Sequence, residues 1–196
     1  MPLAVHDTGP ASRLCQQLAA DAAQPASGEP WPPLAAAALA SGALLLPVAA
    51  GWAFGPQRPA AFVWYATLRM PRWKPPDPVI PAAWTLIDCG LAVAAYRLLR
   101  APGGPGLPQQ QARHEALAWL ALNVSLIGGW SAVFFGARHL PASLLVAAAM
   151  VGTGSAAVRA AARVDGVAAR ATLPFVGWVG FATALTAAIW WLNRRR

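Results

Sequence analysis

The sequence predicts an all-α protein, a five-helix bundle integral to a membrane. Three observations carry that prediction. Hydrophobic residues make up 57% of the 196-residue chain and charged residues only 11%, which is too apolar for an ordinary soluble domain. The apolar residues gather into five stretches, each near the ~20 residues a helix needs to cross a bilayer core. The stretches are apolar all round instead of on one face, which disfavours a water-soluble bundle. Lipid offers no hydrogen bonds to open backbone, so such spans must be helical.

Taken in order, residues 1–32 read as a disordered extension dominated by Ala, Pro, Gly and Ser, with Asp7, Asp21, Glu29 and Arg13 as its charges. The extension has no basic start followed by a long apolar run, so it does not read as a secretory signal. The membrane domain covers residues 33–196. Its first span, 33–54, opens at Pro32-Pro33 and closes at Gly55-Pro56. The second, 79–100, opens around Pro78 and Pro81 and ends at Arg97 and Arg100. A loop from Ala101 to Gly106 leads to the third span, 114–136, and Arg138-His139-Leu140-Pro141 makes a tight connection to the fourth, 141–162. Arg163-Val164-Asp165-Gly166 separates it from the fifth, 171–192, which the three terminal arginines anchor.

Between the first two spans lies a segment, 55–78, that is neither span nor plain linker. It carries Trp64, Tyr65 and Trp73 for burial, and Arg69, Arg72 and Lys74 for water or headgroups. Pro71, Pro75 and Pro76 remove amide donors and clash with a preceding turn, so a helix-free, ordered capping loop is expected over 64–76.

The net charge of +8 lies at the edges of the apolar runs, where it can meet anionic headgroups. A nucleic-acid binder would gather it on one face, so the partner expected is the bilayer and not a nucleic acid. The basic residues divide almost evenly between the two sides, which leaves orientation open. Cys15 and Cys89 are too differently placed for a disulfide to be expected. His6, His114 and His139 sit at polar edges without metal-ligand spacing, so no metal site is expected.

The polar groups inside the spans are more informative. Asp88 falls near the middle of the second span, where an ionisable group is costly and is a functional candidate by default. The bland reading is an acid hydrogen-bonded against a neighbouring helix. Trp84 lies one turn before it, on the same face. Asn123 and Trp130 align on the third span, and Trp178, Ala182 and Leu185 form a stripe on the fifth that could equally be core packing. Indole walls suit a flat, apolar ligand such as a tetrapyrrole or sterol. With no histidine in the spans, haem would lack its commonest protein ligand, so a metal-free porphyrin of the protoporphyrin type is favoured and no covalently held cofactor is expected. Gly128, Ala132 and Gly136 recur every four residues, a spacing that lets helix backbones approach closely. Packing within the bundle and a homodimer seam both fit it.

Specific motifs run in order along the spans: Trp64-Tyr65, Leu68, Pro71, Trp73, Pro75-Pro76 and Trp84; Trp130, Phe134-Phe135-Gly136 and Arg138; Pro174-Phe175, Trp178, Phe181-Ala182, Trp190 and Asn193. Over approximately residues 34–193 the chain resembles the translocator protein family, also called tryptophan-rich sensory protein, peripheral benzodiazepine receptor or TspO/MBR. The resemblance implies a five-helix membrane bundle, a homodimer, and a cavity capped by the first long loop that takes porphyrins, sterols or benzodiazepine-type drugs. The drug-pocket positions correspond to Ile80, Trp84, Trp130, Val133, Ala182 and Leu185. The chain departs from the family at Asp88, where Tyr is usual, and at Asn123 and Ile127, where Gln and Asn are usual. A loop lysine is replaced by Met70, and the fifth-span sterol motif is missing its Tyr and Arg, at Ala187 and Trp191. The function implied is porphyrin binding with a sensory or regulatory role in tetrapyrrole or stress metabolism. The alternatives are light-dependent protoporphyrin degradation, through Trp84 and Trp178, and transport of a lipid-like or tetrapyrrole substrate coupled to Asp88. The membrane implied is a bacterial envelope membrane, with the mitochondrial outer membrane as the alternative.

Overall fold

The computed structural model describes residues 30–102 and 107–195, so the predicted disordered extension lies almost wholly outside the described residues. Within them the chain is helical, with no strand: α1 (Pro33–Ala43), α2 (Leu45–Phe54), α3 (Pro59–Ala66), α4 (Val79–Arg100), α5 (Leu107–Ser131), a π-helical turn (Ala132–Gly136), α6 (Leu140–Ala162) and α7 (Gly166–Asn193). Five helical stretches are long and apolar enough to cross a membrane, α1 and α2 together forming the first. Leu34, Leu86 and Leu145 are 86%, 74% and 72% exposed, an arrangement that suits lipid and not water. The molecule is an integral membrane protein.

Four boundaries differ from the sequence expectation. The first span is broken at Leu44 because Pro47 has no amide to give the Ala43 carbonyl; Leu44 instead closes a tighter turn onto the Ser41 carbonyl, at 3.2 Å. The third span starts at Leu107 instead of residue 114, its polar opening turns standing beyond the apolar run. The fifth starts at Gly166, because the Asp165 carboxylate accepts from the Ala168 amide at 2.8 Å and caps the helix earlier than hydropathy shows. The largest correction is in the capping segment. It is not helix-free, for α3 carries Trp64 and Tyr65; Pro59 occupies its first turn, where the missing amide costs nothing, and no other proline intervenes before Pro71. From Leu68 to Pro78 the chain is irregular, as the prolines require.

The spans form a ring: α1 against α4, α4 against α7, α7 against α6, α6 against α5, and α5 back against α2, with α4 and α5 also touching across it. Small residues set the seams. A Cβ on Gly90 would lie 2.6 Å from the Ala171 carbonyl oxygen, so α4 and α7 meet backbone to backbone. On the α6–α7 seam, a Cβ on Gly154 would lie 2.9 Å from the buried ring of Phe175. The core between the helices is Leu- and Ala-rich, with Ala147, Ala157, Ala160 and Ala161 of α6 fully enclosed. Gly128 and Gly136 face α2 of their own chain, against Ala50 and Phe54. Two of the three stripe positions are therefore taken by packing within the bundle.

Candidate ligand-binding site

The lid consists of α3 and the irregular stretch after it, and two aromatic clusters seat it. Trp64 and Tyr65 of α3 pack edge-on against Phe134 at 5.4 and 6.4 Å between centroids, and Tyr65 meets Phe135 at 5.8 Å. Phe134 stacks on Trp130 at 4.7 Å and 16° between planes. The π-helical turn makes this arrangement, because the Ala137 amide reaches back five residues to the Ala132 carbonyl and re-aims the two phenylalanines. In the second cluster, Trp73 meets Phe181 of α7 at 5.8 Å, and Phe181 meets Trp178 at 5.4 Å. Such pairs contribute roughly 0.5–1.5 kcal/mol each beyond area burial.

Polar groups fasten the same lid. The Arg69 amide donates to Asn193 Oδ1 at 3.0 Å and Asn193 Nδ2 donates to the Arg69 carbonyl at 3.1 Å, a reciprocal latch between lid and α7. Arg138 Nη2 donates to the Ala60 carbonyl of α3 at 3.1 Å. Lys74 pairs with Asp77, and that hydrogen bond holds its ammonium pKa above the usual lysine value. Burial pushes the Tyr65 phenol pKa up, which keeps it neutral.

Along the spans, the predicted residues separate into groups. Trp84, Trp130 and Trp178, on α4, α5 and α7, all pack half-buried against the core. Ile80, Val133, Ala182 and Leu185 are half-buried as well. The buried polar atoms without a hydrogen-bond partner among the described residues include Asp88 Oδ1 and Trp130 Nε1. Buried polar groups are nearly always satisfied, so two orphans on facing helices need a cause. Asn123 belongs elsewhere. It is 1% exposed, donates to the Trp119 carbonyl at 2.7 Å and accepts from Thr153 Oγ1 at 2.8 Å, so it pins α5 to α6. His114 is exposed at the start of α5, and His139 caps α6 by accepting from the Ala142 amide at 3.1 Å. Reasoning from sequence passed over Phe134, Phe135 and Phe181 as contacts of the lid and Asn193 as its latch; the pair of phenylalanines four residues after Trp130 was the available signal.

The chain matches the TspO/MBR family model over residues 43–192. It belongs to the TspO/MBR family. Among curated relatives, a "Tryptophan-rich protein TspO" of Chlorobaculum tepidum is 32% identical over 144 residues, covering 74% of this chain and 87% of the relative. A "Tryptophan-rich sensory protein" of Cereibacter sphaeroides is 30% identical, covering 68% and 78%. The human "Translocator protein" is 28% identical, covering 68% and 79%. The matched region of this TspO/MBR member takes in both aromatic clusters, the lid and the helices from α2 onward, and leaves out α1 up to Gly42 and the latch residue Asn193.

Proposed function

We propose that this TspO/MBR protein binds a metal-free porphyrin of the protoporphyrin type beneath its lid, as a sensory or regulatory element of tetrapyrrole or stress metabolism. The observation that carries the reading is the pair of orphaned polar atoms, the Asp88 carboxyl oxygen on α4 and the Trp130 indole N–H on α5, with Trp130 stacked on the Phe134 ring that seats the lid. A free-base porphyrin matches both: its inner N–H groups donate, and its carboxylate side chains accept. His114 is exposed on the polar opening turns of α5 and His139 caps α6, so neither stands inside an apolar run, which favours a metal-free ring over haem. The membrane proposed is a bacterial envelope membrane, which the relatives from Chlorobaculum and Cereibacter support. A homodimer stays part of the proposal.

Binding is tested by titrating detergent-purified protein with protoporphyrin. Saturable quenching of tryptophan fluorescence is expected, with Trp130→Ala weakening it by about tenfold, the scale of a lost stacking contact and hydrogen bond together. Absence of saturation rejects the reading. Illumination in air then separates binding from turnover. Loss of the Soret band no faster than for free porphyrin supports a binding role, and a faster loss abolished by Trp84→Phe with Trp178→Phe supports the enzyme alternative.

A further inference from the structure

A groove on the outer side of the lid helix is unrelated to the orphaned atoms beneath it. It encloses about 480 Å³ and is lined by Pro59, Ala60, Val63, Trp64, Thr67 and Arg138. Its walls are apolar, with one cation. Arg138 stands at φ 55°, a left-handed conformation uncommon for a side-chain-bearing residue and a reason to look for function. That backbone turn, between the π-helical turn and α6, sends the guanidinium to the lid helix, where one of its five N–H groups serves the Ala60 carbonyl. The others have no protein acceptor among the described residues.

The neighbourhood decides what the groove would take. Phe62 and Val63 are 59% and 63% exposed beside Arg58 and Arg138, which is how a helix lies at a bilayer interface, apolar groups in the chains and arginines among headgroups. The topology puts Arg58, Arg69, Arg72, Arg138, Arg194 and Arg195 on this membrane face. Among the described residues, the one carboxylate on the same face is Asp77, which Lys74 already holds. A zwitterionic headgroup would therefore bring its own cation next to arginines, with no acid to receive it.

We propose that this groove seats an anionic phospholipid from the surrounding leaflet, its phosphate on Arg138 and an acyl chain along Ala60 and Val63. The site is built and not merely a charged surface, because the cation is fixed by a strained turn and the apolar walls continue directly from it. The occupant touches the outside of α3, so it bears on how firmly the lid sits whatever lies beneath.

The test is native mass spectrometry of delipidated protein titrated with phosphatidylglycerol or with phosphatidylcholine of the same chains. One tightly retained phosphatidylglycerol is expected, with phosphatidylcholine binding at least tenfold more weakly. Arg138→Gln should remove about tenfold of the phosphatidylglycerol affinity, the scale of a charge-assisted contact to phosphate. Val63→Trp fills the groove from an exposed position without touching the lid's fastenings, and should lower retention as much. Equal retention of the two lipids overturns the proposal. So does an equal loss in Arg194→Gln with Arg195→Gln, which would show diffuse attraction, or a Val63→Trp variant that changes dimer content and leaves lipid retention intact.

Discussion

The two membrane faces of the bundle are held in opposite ways. On the face away from the lid, the ends of helices are tied by paired charges. Arg97 donates to Asp165 through Nε and Nη2 at 2.9 and 2.7 Å, Asp165 caps α7, Arg163 donates to Glu115 at 2.6 Å, and Arg100 donates to the Trp31 carbonyl at 2.6 Å. On the lid face, aromatic edges, the two Arg69–Asn193 hydrogen bonds and the Arg138–Ala60 hydrogen bond hold the cover, and the arginines have no carboxylate partner among the described residues. One face closes the bundle; the other is made of contacts that a ligand can exchange for its own. The difference places the charge-paired ties on one side of the membrane and the exchangeable lid contacts on the other.

The largest expected break in that comparison is Asp165→Ala. It removes the α7 cap and the acceptor of Arg97, and the cap alone is worth about 1–2 kcal/mol. Thermal unfolding in detergent should shift clearly downward while porphyrin affinity in the folded protein holds. Next is Asn193→Ala, which opens the latch. Two exposed hydrogen bonds contribute about 1 kcal/mol each at most, so melting should move less than for Asp165→Ala. Hydrogen exchange at the Arg69 amide and the rate of porphyrin release should both rise, and a variant with unchanged release would remove the latch from the account.

The pH dependence sharpens the same contrast. The Arg97 hydrogen bonds hold the Asp165 carboxyl below its ordinary pKa. A lowered pKa gives stabilisation that is complete above the unfolded value, near pH 4, and that disappears as pH falls through the folded one. Asp165→Asn should flatten this acid limb in a melting-against-pH series. Tyr65 and Lys74 on the lid both have raised values, so their contribution is complete below about pH 10 and is lost in alkali. The smallest effect expected is for Tyr65→Phe. It should melt like the parent at neutral pH and retain more porphyrin than the parent above pH 10.

Much of this molecule was legible in its sequence because span length and proline position act locally. The breakers around each apolar run located five crossings, and the ordered tryptophan motifs pointed to the family and to the lid. What was hidden depends on partners far along the chain. Asn193 and Arg69 are 124 residues apart, and Arg97 and Asp165 are 68 apart; no local pattern pairs them. Asn123 looked like a cavity residue because a polar group in a span has two explanations, and only Thr153 on the next helix chooses between them. The α3 helix was missed for a different reason. Pro71, Pro75 and Pro76 dominate the segment and mask the proline-free run from Ala60 to Met70, which allows a short helix behind Pro59. Helix extension beyond the bilayer, as in the polar first turns of α5, is invisible to hydropathy by construction.

The most direct measurement is an experimental structure of the protein with protoporphyrin bound. The account predicts the ring between the lid and Trp130, with Trp130 Nε1 and Asp88 Oδ1 each within hydrogen-bond reach of a porphyrin polar atom. A ring bound on the lipid-facing surface, with both atoms still unpartnered, would contradict it.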